Sequence, residues 1–406
     1  MILELTEYEA TPFGHHEISH EIEQALYRDH RNVIDVKAPS LQTEYRWLLT
    51  SLGWVGFIPL LPKVGVSLRP KTPIGNVFRM LEYAYMLDSF KLLDGTFRAA
   101  TLEELYEQLA NILAKRILDR GRKGFQRNYE PETDQLAFVR GRMDVGSAVR
   151  APWKVNPTCH FEEHTADTED NRILAWTMFA VARGGLCSER VLPTVRRAYR
   201  QLARTVTVEQ QTARSCTGRH YTRLNDDYRP LHTLCRFFLD NMGPTHDAGD
   251  RAMIPFLVNM NWLFEKFVAE WMAKHLPERF ELRAQEAVTV SDEAGLRFNL
   301  DLTLYDRETK APVAVLDTKY KTAEAVGNPD FYQIVTYAKV KGAPLAVLIY
   351  PTQLAMPLDL KIGDTRVRGL TFPLAGDLEA DGQAFLDRLL GCPEVEASTG
   401  AGIPLE

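Results

Sequence analysis

The run Val313-Ala314-Val315-Leu316 leads straight into Asp317-Thr318-Lys319, so one short strand must be buried on both faces and still carry a carboxylate and an ammonium at its end. Continuous apolar runs belong to strands covered on both sides. Ionised groups at the end of such a strand need an opposite charge, hydrogen bonds or a metal ion. Side chains two apart on a strand share a face, which puts Asp317 and Lys319 on one side. The preceding segment, Phe298-Asn299-Leu300-Asp301-Leu302-Thr303-Leu304-Tyr305, reads as a second strand whose pairing brings Asp301 beside them. Two carboxylates and an ammonium suit a hard divalent cation held against a phosphate while a water is oriented. Taken alone, Asp-x-Lys also reads as a surface ion pair on an edge strand. The apolar run before it argues for the buried arrangement.

The flanks extend the pattern. Met260 to His275 places Leu263, Phe264, Phe267, Val268, Trp271 and Met272 at helical spacing. Glu265 lies at the margin of that stripe, where it either reaches the same cation or pairs with a lysine on a solvated face. Pro329-Asp330 opens a second helical segment, Phe331 to Val340, with Gln333 and Tyr337 four apart on one face. A buried strand, Leu345 to Tyr350, follows. The order is helix, strand, strand, strand, helix, strand.

With Asp301, then Asp317-x-Lys319, then Gln333-x-x-x-Tyr337, this segment resembles the PD-(D/E)xK nuclease superfamily, although Leu300 occupies the place of its proline. A narrower resemblance is to McrC, the nuclease subunit of McrBC-type modification-dependent restriction systems. It is carried by Asn261-Trp262-Leu263-Phe264-Glu265-Lys266-Phe267-Val268, by Leu316 to Lys321, and by Asp330-Phe331-Tyr332-Gln333. Leu68-Arg69-Pro70-Lys71, Asn76 to Ala84, Val139-Arg140-Gly141-Arg142-Met143-Asp144 and Asn171-Arg172-Ile173 extend it over about Gly53 to Pro351.

The resemblance implies a Mg²⁺-dependent DNA endonuclease subunit, with Mn²⁺ as the alternative metal. Asp301 and Asp317 would bind metal directly, and Glu265 would add a carboxylate or position a water. Lys319 would orient or help deprotonate the attacking water and offset phosphate charge. Gln333 and Tyr337 would position the lysine or the DNA backbone, or simply pack the helix on the sheet. The implied partner is a McrB-like AAA+ GTPase, and the implied substrate is double-stranded DNA containing modified bases of the methylcytosine type. Docking to that motor, with stimulation of its hydrolysis, would involve the amino-terminal region and the segment around Arg140-Gly141-Arg142; ordinary pairing of those arginines with carboxylates is the other reading. Two further readings share the core: an autonomous RecB-like repair nuclease and a non-catalytic activator of an AAA+ motor.

Organisation along the chain is mixed α+β. Residues 1–75 read as a β-rich domain, broken by Gly53, Gly56, Pro59 and Pro62. Residues 76–249 read as mainly helical, with helices over Val77 to Leu93, Leu102 to Arg120, Asn171 to Arg204 and Leu231 to Met242. A strand pair is expected near Leu136 to Val145 and Trp153 to Phe161. Pro244 to Asp250 reads as the boundary before a restriction-endonuclease-like α/β core at 250–375, and the tail 376–406 carries a short helix around Gln383 to Leu390.

The 406 residues suffice for two or three cores, but a net charge of -6 is at odds with a stand-alone DNA binder. Either basic residues are concentrated locally or a partner supplies the grip. Lys115-Arg116 through Arg127 and Arg196-Arg197 through Arg204 are the candidate patches, although such a run is more often a solvated helix face than a nucleic-acid groove. Five scattered cysteines form neither a disulfide framework nor a zinc pair. With no leader pattern and no membrane-length apolar run, the expected setting is the cytoplasm, with no membrane contact. His160-Phe161-Glu162-Glu163-His164 matches the inverted zincin pattern, yet Pro157 and the extended look of Thr158 to Phe161 deny it the helix that zinc ligation needs. His15, His16 and His20 read as surface residues. No phosphate-binding loop is present, so nucleotide hydrolysis would fall to a partner.

Overall fold

A computed structural model describes residues 1–61, 64–86, 101–242, 246–248, 251–253, 255–291, 296–321, 325–391 and 395. Cys392 and most of the expected boundary loop 244–250 lie outside these residues. The protein is mixed α/β, with ten α-helices and several sheets among the described residues. Its contacts divide it into two compact units, Met1–Leu3 with Gly56–Val66 and Leu93–Leu257, and Glu4–Val55 with Ser67–Leu92 and Val258–Glu406.

The amino-terminal stretch is strand-rich, with β1 (Ile2–Thr6), β2 (Thr11–Phe13), β3 (Ile34–Lys37), β4 (Trp47–Ser51), β5 (Trp54–Leu61) and β6 (Val64–Arg69). It also holds a helix that the reading of the sequence missed, α1 (His20–Asp29). Ser19 caps α1 by accepting from the Ile22 amide, and only Ile22 and Leu26 anchor it. A helix with so thin an apolar stripe leaves little periodic signal. Next comes α2 (Ile74–Ala84), whose described part stops short of the expected Leu93.

In the unit built mainly from Leu93–Leu257, α3 (Leu102–Lys123) leads into β7 (Asn128–Gln135), β8 (Arg142–Met143), α4 (Val145–Arg150) and β9 (Thr158–Thr165). Then come α5 (Glu169–Arg183), α6 (Leu192–Ala203) and α7 (Tyr228–Asn241). Helices α3, α5, α6 and α7 pack on one another, and Tyr106 meets Phe238 edge-on with ring centroids 5.0 Å apart. Buried Asn171 ties the opening of α5 to its neighbours: its amide donates to the Gln126 and Ala166 carbonyls, and its oxygen accepts from Tyr228 at 2.6 Å.

The three-stranded sheet β7-β9-β8 corrects the expected strand pair. β7 pairs antiparallel with β9 from Asn128↔Thr165 to Gln135↔Thr158, so both long strands are displaced from the apolar stretches that suggested them. The reason is exposure. Nearly every residue of β7 faces solvent, so no apolar alternation marks it, while the apolar Phe138, Val139, Trp153 and Val155 lie exposed in the connections. β9 is extended through His160 and His164, as Thr158 to Phe161 suggested. His160 bonds Thr133 and His164 packs on Tyr129, so neither histidine acts as half of a helical zinc pair.

A two-stranded ribbon, β10 (His246–Ala248) and β11 (Arg251–Met253), precedes β12 (Phe256–Asn259), and β12 joins a sheet of order β1-β6-β5-β12. After it come α8 (Met260–His275), β13 (Phe280–Ser291), β14 (Leu296–Asp306), β15 (Pro312–Thr318), α9 (Asn328–Lys341) and β16 (Leu345–Tyr350). This is the expected helix, three strands, helix, strand. β17 (Asp359–Ile362), β18 (Thr365–Thr371) and α10 (Leu378–Leu390) complete the described chain. Six strands form one sheet in the order β13-β14-β15-β16-β18-β17. β13 to β15 are antiparallel, whereas β15, β16 and β18 run parallel, and α9 provides the crossover that a parallel pair requires. Ile334, Tyr337 and Ala338 of α9 pack on Val315, Ala346, Leu348 and Val367.

Candidate functional site

All six side chains singled out in the sequence lie around the end of β15. The parallel pairing of β15 with β16 reaches Thr318↔Ile349, and the Lys319 amide then donates to the Ile349 carbonyl at 2.8 Å. The Asp-x-Lys turn is thereby held at the carboxyl ends of parallel strands, where α/β sheets place their ligand crevices. Asp301 reaches it from β14. Its Oδ2 accepts the Thr318 amide at 3.2 Å, just beyond Leu302↔Leu316, where the ladder of β14 and β15 ends.

Asp317 is 1% exposed and its Oδ2 lies 2.6 Å from Lys319 Nζ, yet that oxygen has no hydrogen bond of acceptable angle. Burial, with the neighbouring Asp301 carboxylate, pushes the Asp317 carboxyl up to about 7, against the opposing pull of Lys319. Burial works against the Lys319 ammonium, but Asp317 and Asp301 outweigh it and raise its pKa above the ordinary value. Lys319 is therefore held charged. Its Nζ also donates to Gln333 Oε1 at 3.3 Å, and Gln333 Nε2 donates to the Tyr337 hydroxyl at 2.9 Å. Gln333 and Tyr337 form a relay from one turn of α9 to the next, and Tyr337 also packs against Phe298.

Glu265 approaches from α8. That helix starts where Asn259 accepts the Asn261 and Trp262 amides, and its apolar face leaves Glu265 half-buried. Burial first, then Asp301, raises the Glu265 pKa, while Gln285 donates to its Oε1. Gln285 was not anticipated. It falls between the ladder pairs Ala284↔Leu302 and Glu286↔Leu300, opposite Asp301, with φ of 53°. A non-glycine residue in the left-handed region is a strained position, and such positions concentrate at functional sites. No periodicity in the sequence signals it.

A second group missed in the sequence lies beside the turn. The Tyr320 hydroxyl donates to Glu7 Oε1 at 2.7 Å and lies 3.1 Å from Thr72 Oγ1. Glu7 is 1% exposed, its Oε2 has no hydrogen bond, and burial raises its pKa. These residues are hundreds of positions apart, so spacing could not pair them.

The donor set fits a hard divalent cation. Asp301 and Asp317 could offer carboxylate oxygens to such an ion, Asp317 Oδ2 being buried without a hydrogen bond, and Glu265 feels the Asp301 charge. Among the described residues no three His, Cys, Asp or Glu side chains form a preformed metal cage. Two carboxylates nevertheless match Mg²⁺, which keeps most of its waters and needs only one or two protein carboxylates.

A family model described as McrBC 5-methylcytosine restriction system component matches residues 49–351, a span that includes all six residues. The Type IV methyl-directed restriction enzyme EcoKMcrBC of Escherichia coli (strain K12) is 24% identical over 295 residues, or 66% of this chain and 81% of that protein. Among solved structures, a refined half-complex from the tetradecameric assembly of Thermococcus gammatolerans McrB AAA+ hexamers with bound McrC aligns with a TM-score of 0.57. The alignment covers 96% of this chain and 100% of the other at 17% identity, a likeness of fold.

Proposed function

The chain belongs to the family of McrBC 5-methylcytosine restriction system components, and from that premise we propose that it is a Mg²⁺-dependent endodeoxyribonuclease subunit working with a McrB-like AAA+ GTPase on double-stranded DNA that carries modified bases. The observation that carries this reading is the convergence of Asp301, Asp317 and Lys319 at the end of β15, braced by Gln333 and Tyr337. In this reading 250–375 is a PD-(D/E)xK nuclease domain, 1–75 docks the partner, 76–249 is the middle region and 376–406 is the tail.

Asp301 and Asp317 would hold the metal, with Glu265 as a third carboxylate oriented by Gln285. When bound, Mg²⁺ supplies Lewis acidity toward a phosphate oxygen and lowers the pKa of water. Lys319, held as an ammonium, offsets charge that develops on the scissile phosphate and orients the attacking water. Gln333 fixes the lysine rotamer by accepting from Nζ, and Tyr337 fixes Gln333 in turn.

The middle region supports the partner reading. Phe138, Val139, Val145, Val149, Trp153 and Val155 are exposed on the connections between β7 and β9, and clustered exposed apolar side chains mark protein-binding surfaces. Arg140 stacks 4.1 Å over the Phe161 ring, and Arg142 opens β8. Gly141, with φ of 66°, stands where a Cβ would come 2.3 Å from the His160 carbonyl oxygen, which holds the two arginines on a turn that only glycine tolerates.

A cytoplasmic setting accords with the free, buried thiols of Cys159, Cys187, Cys216 and Cys235. Burial pushes Cys187 and Cys216 up to about 12, so both stay neutral. No described helix is long and apolar enough to cross a membrane.

The test is cleavage of methylated and unmethylated plasmid with Mg²⁺, with and without the AAA+ partner and GTP. Cutting that needs partner, nucleotide and methylation is expected. Cutting by the lone chain, indifferent to all three, would replace this reading with an autonomous repair nuclease.

A further inference from the structure

Within the helical unit, α3 and α6 enclose an open groove of about 670 Å³ lined by Leu118, Arg122, Pro193, Arg197, Arg200 and Arg204, with Thr194 and Gln201 between them. All four arginines are exposed and no carboxylate lines the groove. In a chain of net charge -6, many guanidinium groups elsewhere meet acidic partners, such as Arg172 on Asp167 and Glu209, or Arg219 on Glu169 and Asp170. Among the described residues, Arg197, Arg200 and Arg204 make no ion pair. Arg200 Nε donates only to the Arg196 carbonyl, and Arg122 pairs with Asp119 of its own helix across an exposed contact that an incoming anion can displace.

We infer that this groove binds the phosphodiester backbone of duplex DNA, without reading its sequence, as a site separate from the carboxylate cluster. The inference rests on the reading of the chain as a protein that acts on DNA. Three features carry it. Helical rise sets Arg197, Arg200 and Arg204 along one face over about 10 Å, so three like charges stand in a row along the groove as phosphates do along a duplex. Guanidinium groups donate in a planar fork that matches phosphate oxygens. Leu118 and Pro193 are its apolar lining residues and no aromatic side chain lines it, so its character is set by the four guanidinium groups. The same arginines answer the charge problem posed by the sequence, because the acidic surplus does not extend into this groove.

The test is fluorescence anisotropy of a labelled, unmodified 30-base-pair duplex with the full chain in EDTA, from 50 to 200 mM salt. Substituting Arg197→Ala, Arg200→Ala and Arg204→Ala together is expected to weaken binding at least tenfold and to flatten the log-log salt slope by about 3, the slope of three lost phosphate contacts. The corresponding triple lysine variant keeps the charge and is expected to retain most of the affinity, which separates loss of charge from loss of fold. Unchanged affinity and slope in the alanine variant would overturn the inference. So would unchanged DNA binding coupled with lost capture of the AAA+ partner, which would assign the groove to an acidic protein surface. The nuclease reading fails separately: Asp317→Asn that still cuts DNA would sink that reading, whatever the anisotropy shows.

Discussion

The cluster at the end of β15 and the groove between α3 and α6 handle charge in opposite ways. In the cluster every charge is crowded, half or fully buried, and braced: Lys319 touches Asp317 and Gln333, Asp301 takes the Thr318 amide, and Glu265 takes Gln285. In the groove four like charges stand in solvent with no carboxylate among them. Crowded, fixed charge is what transition-state stabilisation requires, since preorganised groups need no rearrangement during reaction. Exposed, unopposed charge is what long-range attraction of a polyanion requires. The contrast teaches that one chain of net charge -6 can hold a braced cluster of mixed sign and, apart from it, a groove of like charge.

The sharpest way to break the contrast is at the cluster. Asp317→Asn should lower single-turnover cleavage by about 10⁴-fold, with no fall in melting temperature, because the charge it removes is buried beside Asp301. Lys319→Ala should cost about 10² to 10³-fold in the same assay and leave duplex affinity in EDTA unchanged. Full cleavage by either variant would dissolve the distinction between the cluster and any other ion pair.

A tenfold effect is expected in the other unit. Gly141→Ala forces a Cβ against the His160 carbonyl at positive φ, at a cost of about 1–2 kcal/mol from the left-handed backbone alone. Stimulation of the partner's GTP hydrolysis should fall about tenfold, while the thermal midpoint falls by only about 2–8 °C. Undiminished stimulation would remove the turn from the docking surface.

Smaller effects sharpen the picture of how buried acids are held. Tyr320→Phe leaves the buried Glu7 carboxylate without one of its two donors and should destabilise by about 1–3 kcal/mol in chemical denaturation. Asp306, at the other end of β14 from the cluster, is the counterpart of Asp317. The Thr309 amide, then Glu308 and Arg279, hold its carboxyl below the usual range despite burial. A depressed folded pKa contributes stability above the unfolded value, about 4, and loses it as pH falls through the folded value. Asp306→Asn should therefore cost about 1–2 kcal/mol at pH 7 and progressively less as pH falls below about 4, as read from denaturation midpoints. A cost undiminished by that fall in pH would make Asp306 a matter of packing alone.

Much of the carboxyl-terminal half was legible in the sequence. Met260–His275 and Leu345–Tyr350 fall where the apolar spacing put them, because each buries a broad stripe or both faces and so writes its period into the sequence. The convergence of the six candidate residues was readable for a related reason: strand period and helix period set Asp317 with Lys319, and Gln333 with Tyr337, on common faces. Where elements bury little, the reading failed. β7 is solvated along nearly its whole length, and its sequence carries no alternation. α1 rests on two buried side chains.

What the sequence determined by itself, then, was local: period, the buried strand ending in charge, and the order of elements. Tertiary structure decided what depends on contacts between distant residues. Gln285 meeting Glu265, Tyr320 bridging to Glu7 and Thr72, and α6 laying its arginines beside α3 all join positions that no short-range repeat relates. Periodicity reports which face of an element is buried, and only packing decides what that face meets.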